Sequence, residues 1–226
     1  MNPENMKHPF IEYKNDTYTI EESLERSEEM YRLMDKRRSI RDFSDKKVPK
    51  EIIENILLTA STAPSGAHKQ PWTFCLISNQ ELKSKIRALA ENEEKISYSG
   101  RMSESWIRDL EPLGTTWVKE FIDVAPWIIV IMKKAYDFGA NGEKLNNYYV
   151  NESVGIAAGF LIAAIHNAGL VTLTHTPSPM NFLIEALDRP SNERPFLLLP
   201  VGYPKEKAMV PDLKRKELNE VVAYFE

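Results

Sequence analysis

The sequence predicts one domain of mixed helices and strands, of the α+β or α/β kind. Three observations predict it. The chain has 226 residues, against roughly 150 for an average domain, so one sizeable unit is the natural count. Helical and strand-like spacings of apolar residues alternate along it. Trp127 to Met132 is an unbroken apolar run of strand length, the pattern of a strand covered on both faces.

In chain order, residues 1–20 are polar and Pro-containing and are expected to form an arm. Thr19-Ile-Glu-Glu22 is a capping box, predicting a helix to about Met34 with Leu24, Tyr31 and Met34 on its apolar side. Pro49 is expected to open a second helix as its first residue, because its missing N–H costs nothing there. Ile52, Ile53, Ile56, Leu57 and Ala60 mark that helix's buried face. Thr73–Ile77 reads as a strand, and Ser78-Asn-Gln-Glu81 as the cap of a helix turning Leu82, Ile86 and Leu89 inward. From Glu91 to Lys119 the chain is charged, aromatic and weakly periodic, with Trp106 and Trp117 as anchors. Tyr148–Asn167 reads as a long helix rich in small residues, closed by Gly169. Leu170–Thr174 and Phe196–Val201 read as strands, with a short helix Asn181–Leu187 between them.

Composition excludes several classes. With 33 acids against 29 bases, the net charge of −4 does not suit a nucleic-acid binder. The single cysteine, Cys75, cannot form an internal disulfide, which points to a reducing compartment such as the cytoplasm. The longest apolar stretch, Val154–Ile165, has 12 residues, short of the roughly 20 a membrane span needs. The N-terminus does not read as a signal peptide. His8, His68, His166 and His175 are scattered, so no metal site is expected. No P-loop, G-x-G-x-x-G or G-x-S-x-G motif occurs.

The basic turn Lys36-Arg-Arg-Ser-Ile-Arg41 crowds Arg37, Arg38 and Arg41 around the hydroxyl of Ser39. Guanidinium forks match phosphate oxygens, and free N–H groups at a helix start add donors. A solvated helix terminus is the other reading of the turn alone.

This turn, followed by the helix after Val48-Pro49, resembles the N-terminal signature of the nitroreductase family, which binds FMN. Further segments look like the iodotyrosine deiodinases of that family: Pro64-Ser-Gly-Ala-His68, Pro71-Trp-Thr73, Arg101-Met102, Thr172-Leu-Thr-His-Thr-Pro177, Leu199-Pro-Val-Gly-Tyr-Pro204 and Val210-Pro-Asp-Leu-Lys-Arg-Lys216. They occur in the family's order over about residues 30 to 218. The resemblance implies an α+β (α/β sandwich), nitroreductase-like fold: a central mixed β-sheet flanked by helices, in an intertwined homodimer with shared active sites. It implies an N-terminal arm over 1–20, an FMN-binding domain over 21–218 with a lid about 91–119, and a C-terminal tail over 219–226. The membrane anchor of the vertebrate enzymes is missing, so a soluble, cytoplasmic, bacterial-type form is expected.

Matched residue by residue, the resemblance assigns Arg37, Arg38, Ser39, Ile40 and Arg41, with Arg215 from the tail, to the phosphate and ribityl region of FMN. Pro64, Ser65 and Gly66 would reach the flavin from the other subunit. Thr174, His175 and Thr176 form the segment along the flavin, the His175 side chain being expected on the opposite face. Thr176 is the implied catalytic residue, bonding flavin N5 and favouring single-electron steps. Glu94, Tyr98 and Lys119 would grip the amino-acid end of a substrate, and the Ala67 N–H its phenolate. Without the family, the threonines read as ordinary strand residues and Glu94 as one acid on a solvated helix.

The chemistry is coherent, since a carboxylate suits an ammonium, and a phenol with an ammonium suits a carboxylate. The implied activity is FMN-dependent reductive dehalogenation of halotyrosines, 3-iodotyrosine giving tyrosine and iodide. The electron donor is left unnamed, an NAD(P)H-linked reductase being one candidate. A broad-specificity NAD(P)H-dependent nitroreductase and a flavin-binding protein without turnover are the alternatives. Thr176-Pro-Ser-Pro179 and Lys69-Gln70 depart from the vertebrate pattern near the flavin segment.

Overall fold

The computed structural model describes residues 8–226, so the first seven residues of the expected arm lie outside the described residues. The chain divides into two units, Met1–Lys36 and Arg37–Glu226. In the first, helix α1 (Ile20–Asp35) starts at the expected capping box: Thr19 Oγ1 accepts from the Glu22 N–H at 3.2 Å, and Glu22 Oε2 accepts from the Thr19 N–H at 2.8 Å. Its expected apolar members do not enter the core. No α1 residue is buried, and Leu24 and Tyr31 are exposed.

The second unit begins with α2 (Lys50–Ser61), where Pro49 is the cap residue and not the first helical one. Strand β1 (Trp72–Ile77) follows, then α3 (Gln80–Ile96), capped by Asn79, whose side chain accepts from the Leu82 N–H. α3 runs past the expected inward Leu89 because Ala90 and Glu94 continue its buried face. The weakly periodic stretch after it is largely helical. It holds a π turn (Ser97–Arg101), α4 (Glu104–Leu110) and a 3₁₀ turn (Glu111–Leu113), and α5 (Phe121–Val124) follows it. Neither tryptophan in it is a buried anchor: Trp106 is exposed, and Lys95 Nζ lies 4.1 Å from the ring centroid of half-exposed Trp117.

Strand β2 (Trp127–Lys134) leads into an unexpected hairpin of β3 (Tyr136–Phe138) and β4 (Lys144–Asn146). Helix α6 (Val150–Asn167) ends at Gly169, whose φ of 73° occupies the left-handed position expected of it. Then come β5 (Val171–Thr172), α7 (Phe182–Ala186), β6 (Glu193–Gly202) and α8 (Leu218–Val221).

The main sheet has the order β1-β2-β6-β5. Its ladders are all antiparallel, so the mixed sheet expected reduces to one parallel bridge, Ser39 to Thr172. β2 lies inside it and shows why the unbroken apolar run is needed. Ile129 and Ile131 face a core shared with α2 and α6. Ile128, Val130 and Met132 face a second core, shared with Ile86 and Ala90 of α3, Ile122 of α5 and Leu183 of α7. Alternate side chains on a strand point to opposite faces, so covering both faces requires apolar residues at every position.

Candidate active site

The basic turn is held against the sheet by its backbone. The Ile40 N–H donates to the Thr172 carbonyl at 3.1 Å, beside the Ser39–Thr172 bridge, while the Ile40 side chain is buried. Beyond β5 the chain stays extended: His175 exchanges backbone bonds with Leu198 at 2.8 and 3.0 Å. This pairing turns His175 inward and leaves Thr174 and Thr176 exposed. The His175 ring meets Phe121 edge-on at 5.6 Å, and its buried Nε2 has no partner among the described residues. Burial, with the nearby Lys119 and Arg41 charges, pushes the imidazole down to about 3, so it is neutral at physiological pH.

Ser39, Arg41, Thr174, His175 and Thr176 line a cavity of about 370 Å³ together with Glu94, Tyr98, Met102, Trp106 and Lys119. An adjoining hollow of about 230 Å³ shares Ser39, Arg41 and Leu113 with it and adds Arg37, Arg38, Lys214 and Arg215. Among the described residues, every charged group lining the smaller hollow is a cation. Arg38 donates to the Pro211 carbonyl, and Arg215 donates to the Arg37 carbonyl at 2.8 Å. Burial, then repulsion from Arg215 and Arg38, lowers the pKa of Arg37. Clustered cations of this kind suit a bound anion such as phosphate. A more open hollow of about 810 Å³ includes only Arg41 of the expected site residues, amid mixed charges such as Asp42, Lys47 and Asp123.

The residues of the expected lid bring polar groups to this cavity. Glu94, in the last turn of α3, pairs with Lys119 at 3.2 Å, their side chains only 10% and 5% exposed. Tyr98, in the π turn, donates to the Thr115 carbonyl at 3.2 Å, and the Lys119 ammonium donates to the Thr116 carbonyl. Burial holds Lys119 below its ordinary pKa against the opposing pull of Glu94, and burial raises Tyr98, with Glu94 adding to the effect. Arg101 ties the lid to the strand-end segment by donating to the Ser178 carbonyl at 2.6 Å. A carboxylate, an ammonium and a phenol thus converge in one shielded cavity, a set that complements both ends of a zwitterion. Sequence reasoning marked Arg101 only through the motif Arg101-Met102 and missed its partner Ser178 and the support from Thr115, because backbone carbonyls leave no pattern in side-chain order.

The remaining expected residues lie elsewhere in the chain. Pro64, Ser65, Gly66 and Ala67 line neither the cavity nor the hollow. Their loop packs on α6, with the Gly66 N–H donating to Ser153 Oγ at 3.2 Å. A Cβ on Gly66 would stand 2.7 Å from the Tyr148 carbonyl oxygen, so only glycine fits there. Ala67 holds a left-handed φ of 50°, strained for a residue with a side chain.

The nitroreductase family model matches residues 34–203. The iodotyrosine deiodinase of Haliscomenobacter hydrossis is 59% identical, over 97% of this chain and 99% of its own length. Iodotyrosine deiodinase 1 of Homo sapiens is 47% identical, over 97% of this chain and 75% of its own length. The crystal structure of oxidized iodotyrosine deiodinase bound to FMN and 3-iodo-L-tyrosine is similar with a TM-score of 0.74 at 30% identity, covering 87% of this chain and 99% of that one.

Proposed function

The chain belongs to the nitroreductase family, in its group of iodotyrosine deiodinases, and we propose that it is an FMN-dependent reductive dehalogenase of halotyrosines, converting 3-iodotyrosine to tyrosine and iodide. The observation that carries this reading is that the buried pair Glu94–Lys119 and half-buried Tyr98 line one cavity with Thr174 and Thr176. A general nitroaromatic reductase has no need of a zwitterion clamp.

The residues present fit FMN. The cationic hollow of Arg37, Arg38, Arg41 and Arg215 would hold its phosphate, and Thr174 and Thr176 would face its ring, with the Thr176 hydroxyl at N5. Pro64, Ser65 and Gly66 would complete the site from a second subunit, which accounts for their distance from the cavity in one chain. Support for such a homodimer comes from α6, where exposed Ile156 and Phe160 accompany Gly155 and Gly159, and no described atom beyond the glycines' own stretch of helix stands within 4 Å of a Cβ built on either one. The chemistry that FMN would supply when bound is a pair of electrons, delivered singly, which with one proton from water replaces the carbon–halogen bond by carbon–hydrogen and releases the halogen as halide.

The chain's own residues select and hold the substrate. Glu94 takes the ammonium, while Lys119 and Tyr98 take the carboxylate, so the zwitterion exchanges one buried ion pair for two. Charge-assisted bonds of this kind strengthen as the lid excludes water. The backbone N–H of Ala67, from the partner, holds the phenolate. A halogen beside the phenol lowers its pKa, whereas tyrosine, near 10, stays protonated at neutral pH. Selectivity for the halogenated ring follows from that difference.

Among the described residues no helix is long and apolar enough to cross a membrane, and a cytoplasmic site with an NAD(P)H-linked reductase as electron donor completes the reading. The test is anaerobic reduction of the FMN-loaded protein with dithionite, followed by 3-iodotyrosine. Iodide is expected in proportion to protein turnover, and FMN-loaded protein that releases none overturns the assignment.

A further inference from the structure

One side of α3 bonds repeatedly to the segment that closes the lid. Glu91 Oε1 accepts from the backbone N–H of Lys119 at 2.9 Å and from Arg87 Nε at 2.7 Å. Arg87 Nη1 reaches on to Asp123 Oδ2 at 2.8 Å, and Asp123 Oδ1 accepts from Ser84 Oγ at 2.9 Å. Lys83, only 3% exposed, donates through Nζ to the carbonyls of Asp123 and Ala125 at 3.0 and 2.8 Å. Glu91 and Lys119 are the two ends of the expected lid, so these bonds close everything between them into a loop fastened at its neck.

We propose that Glu91, held in place by Arg87 and Asp123, is a positioning residue for the substrate clamp: by fixing the Lys119 backbone it sets where the Lys119 ammonium meets the substrate carboxylate. This rests on the reading above, in which Lys119 receives that carboxylate. The geometry supports it at each step. The Lys119 side chain folds back on its own turn, bonding the Thr116 carbonyl, so the ammonium goes where the backbone takes it. Glu91 and Arg87 stand one helical turn apart with side chains 16% and 27% exposed, shielded enough for their bonds to be directional. Burial pushes the Glu91 carboxyl up, but the Lys119 N–H and the Arg87 guanidinium outweigh it, and the group is held below its ordinary range as a carboxylate. Neither Glu91 nor Arg87 lines the cavity, so neither touches the substrate.

The test uses FMN-loaded full-length protein and 3-iodotyrosine titrated against the flavin absorbance. Glu91→Ala is expected to raise the dissociation constant about tenfold to a hundredfold, as loss of a charge-assisted bond to a backbone donor does, with kcat for iodide release moving less. Glu91→Gln keeps an acceptor for the N–H and is expected to recover part of the loss. Arg87→Lys, which keeps the charge and loses the fork, is expected to fall between, and these two variants carry the test if Glu91→Ala fails to fold. In a Lys119→Met background, Glu91→Ala is expected to add less than about twofold, because coupled residues are not additive; effects that multiply overturn the proposal. Amide exchange supplies an arm that needs no substrate: the Lys119 N–H is expected to exchange at least about tenfold faster in Glu91→Ala. Unchanged exchange overturns the positioning role whatever the substrate. Wild-type protein that binds no iodotyrosine overturns the functional reading instead, and the exchange arm then decides the role of Glu91.

Discussion

Strand β2 and the Glu94–Lys119 pair are both shielded from water, yet they are held by opposite means. Ile128 through Met132 are fully buried and uncharged, packed on both faces by helices. The segment 91–119 buries Glu94 and Lys119 as a pair and bonds backbone carbonyls scattered over Thr115, Thr116 and Ser178. Apolar contact is non-directional and approximately proportional to area, so it holds one state firmly. Paired charges stabilise only in the right geometry, and their Coulombic gain is largely offset by desolvation. A pair built that way adds little net stability by itself, so the contrast locates stability in the sheet, while the proposed function locates selectivity in the pair.

Three substitutions break or sharpen this contrast. The largest effect on folding is expected from Ile129→Ala, about 2–5 kcal/mol in urea denaturation, from lost burial and the cavity left behind; binding of iodotyrosine by the folded fraction should be unchanged. Lys119→Met is the converse. Its kcat/KM for 3-iodotyrosine should fall about a hundredfold, because Glu94 and the substrate carboxylate both lose their partner, while its unfolding midpoint should move far less than that of Ile129→Ala. Equal losses of stability in the two variants would erase the distinction between the regions.

The smallest effect comes from His175, which sits where the two regions meet. Its folded pKa of about 3 lies below its ordinary 6.5. As pH falls from 6.5 the unfolded chain takes up the proton and the folded one does not, so stability is lost with acid over that window. The limiting slope is about 1.4 kcal/mol per pH unit. Wild-type protein should therefore lose on the order of 1–2 kcal/mol between pH 6.5 and pH 5 that His175→Leu does not lose, measured by urea unfolding at both pH values. Identical pH dependence in the two proteins would mean that the imidazole is protonated in the fold.

The same contrast explains what was legible in the order of residues. The apolar spacings of α2 and α6 and the unbroken run of β2 identify the core elements, because burial acts residue by residue. Hairpin β3–β4 escaped, since its strands are three residues each and Phe138 and Leu145 face solvent, which leaves no core pattern to read. The far end of α3 escaped because Glu94, a buried acid, interrupts the apolar spacing. Within the site, Glu94, Tyr98, Lys119, Thr174 and Thr176 were found through resemblance and do meet in one cavity. The bond from Glu91 to the Lys119 N–H left no trace, as it joins a side chain to a backbone group 28 residues away. Leu24 and Tyr31 on α1 mark the limit of the apolar rule: spacing identified the helix and not what covers it.

Because Glu91 and Lys119 are joined at the neck, residues 92–118 form a cassette between two fixed anchors. Lengthening a closed loop is cheap, about 0.6 kcal/mol for each doubling. Replacement inserts can therefore be spliced between the same anchors without redesigning the sheet beneath. On the function proposed above, the flavin chemistry and part of the choice of molecule presented to it are separable inheritances, and a library confined to this insert is a direct way to retarget the scaffold to other halogenated phenols.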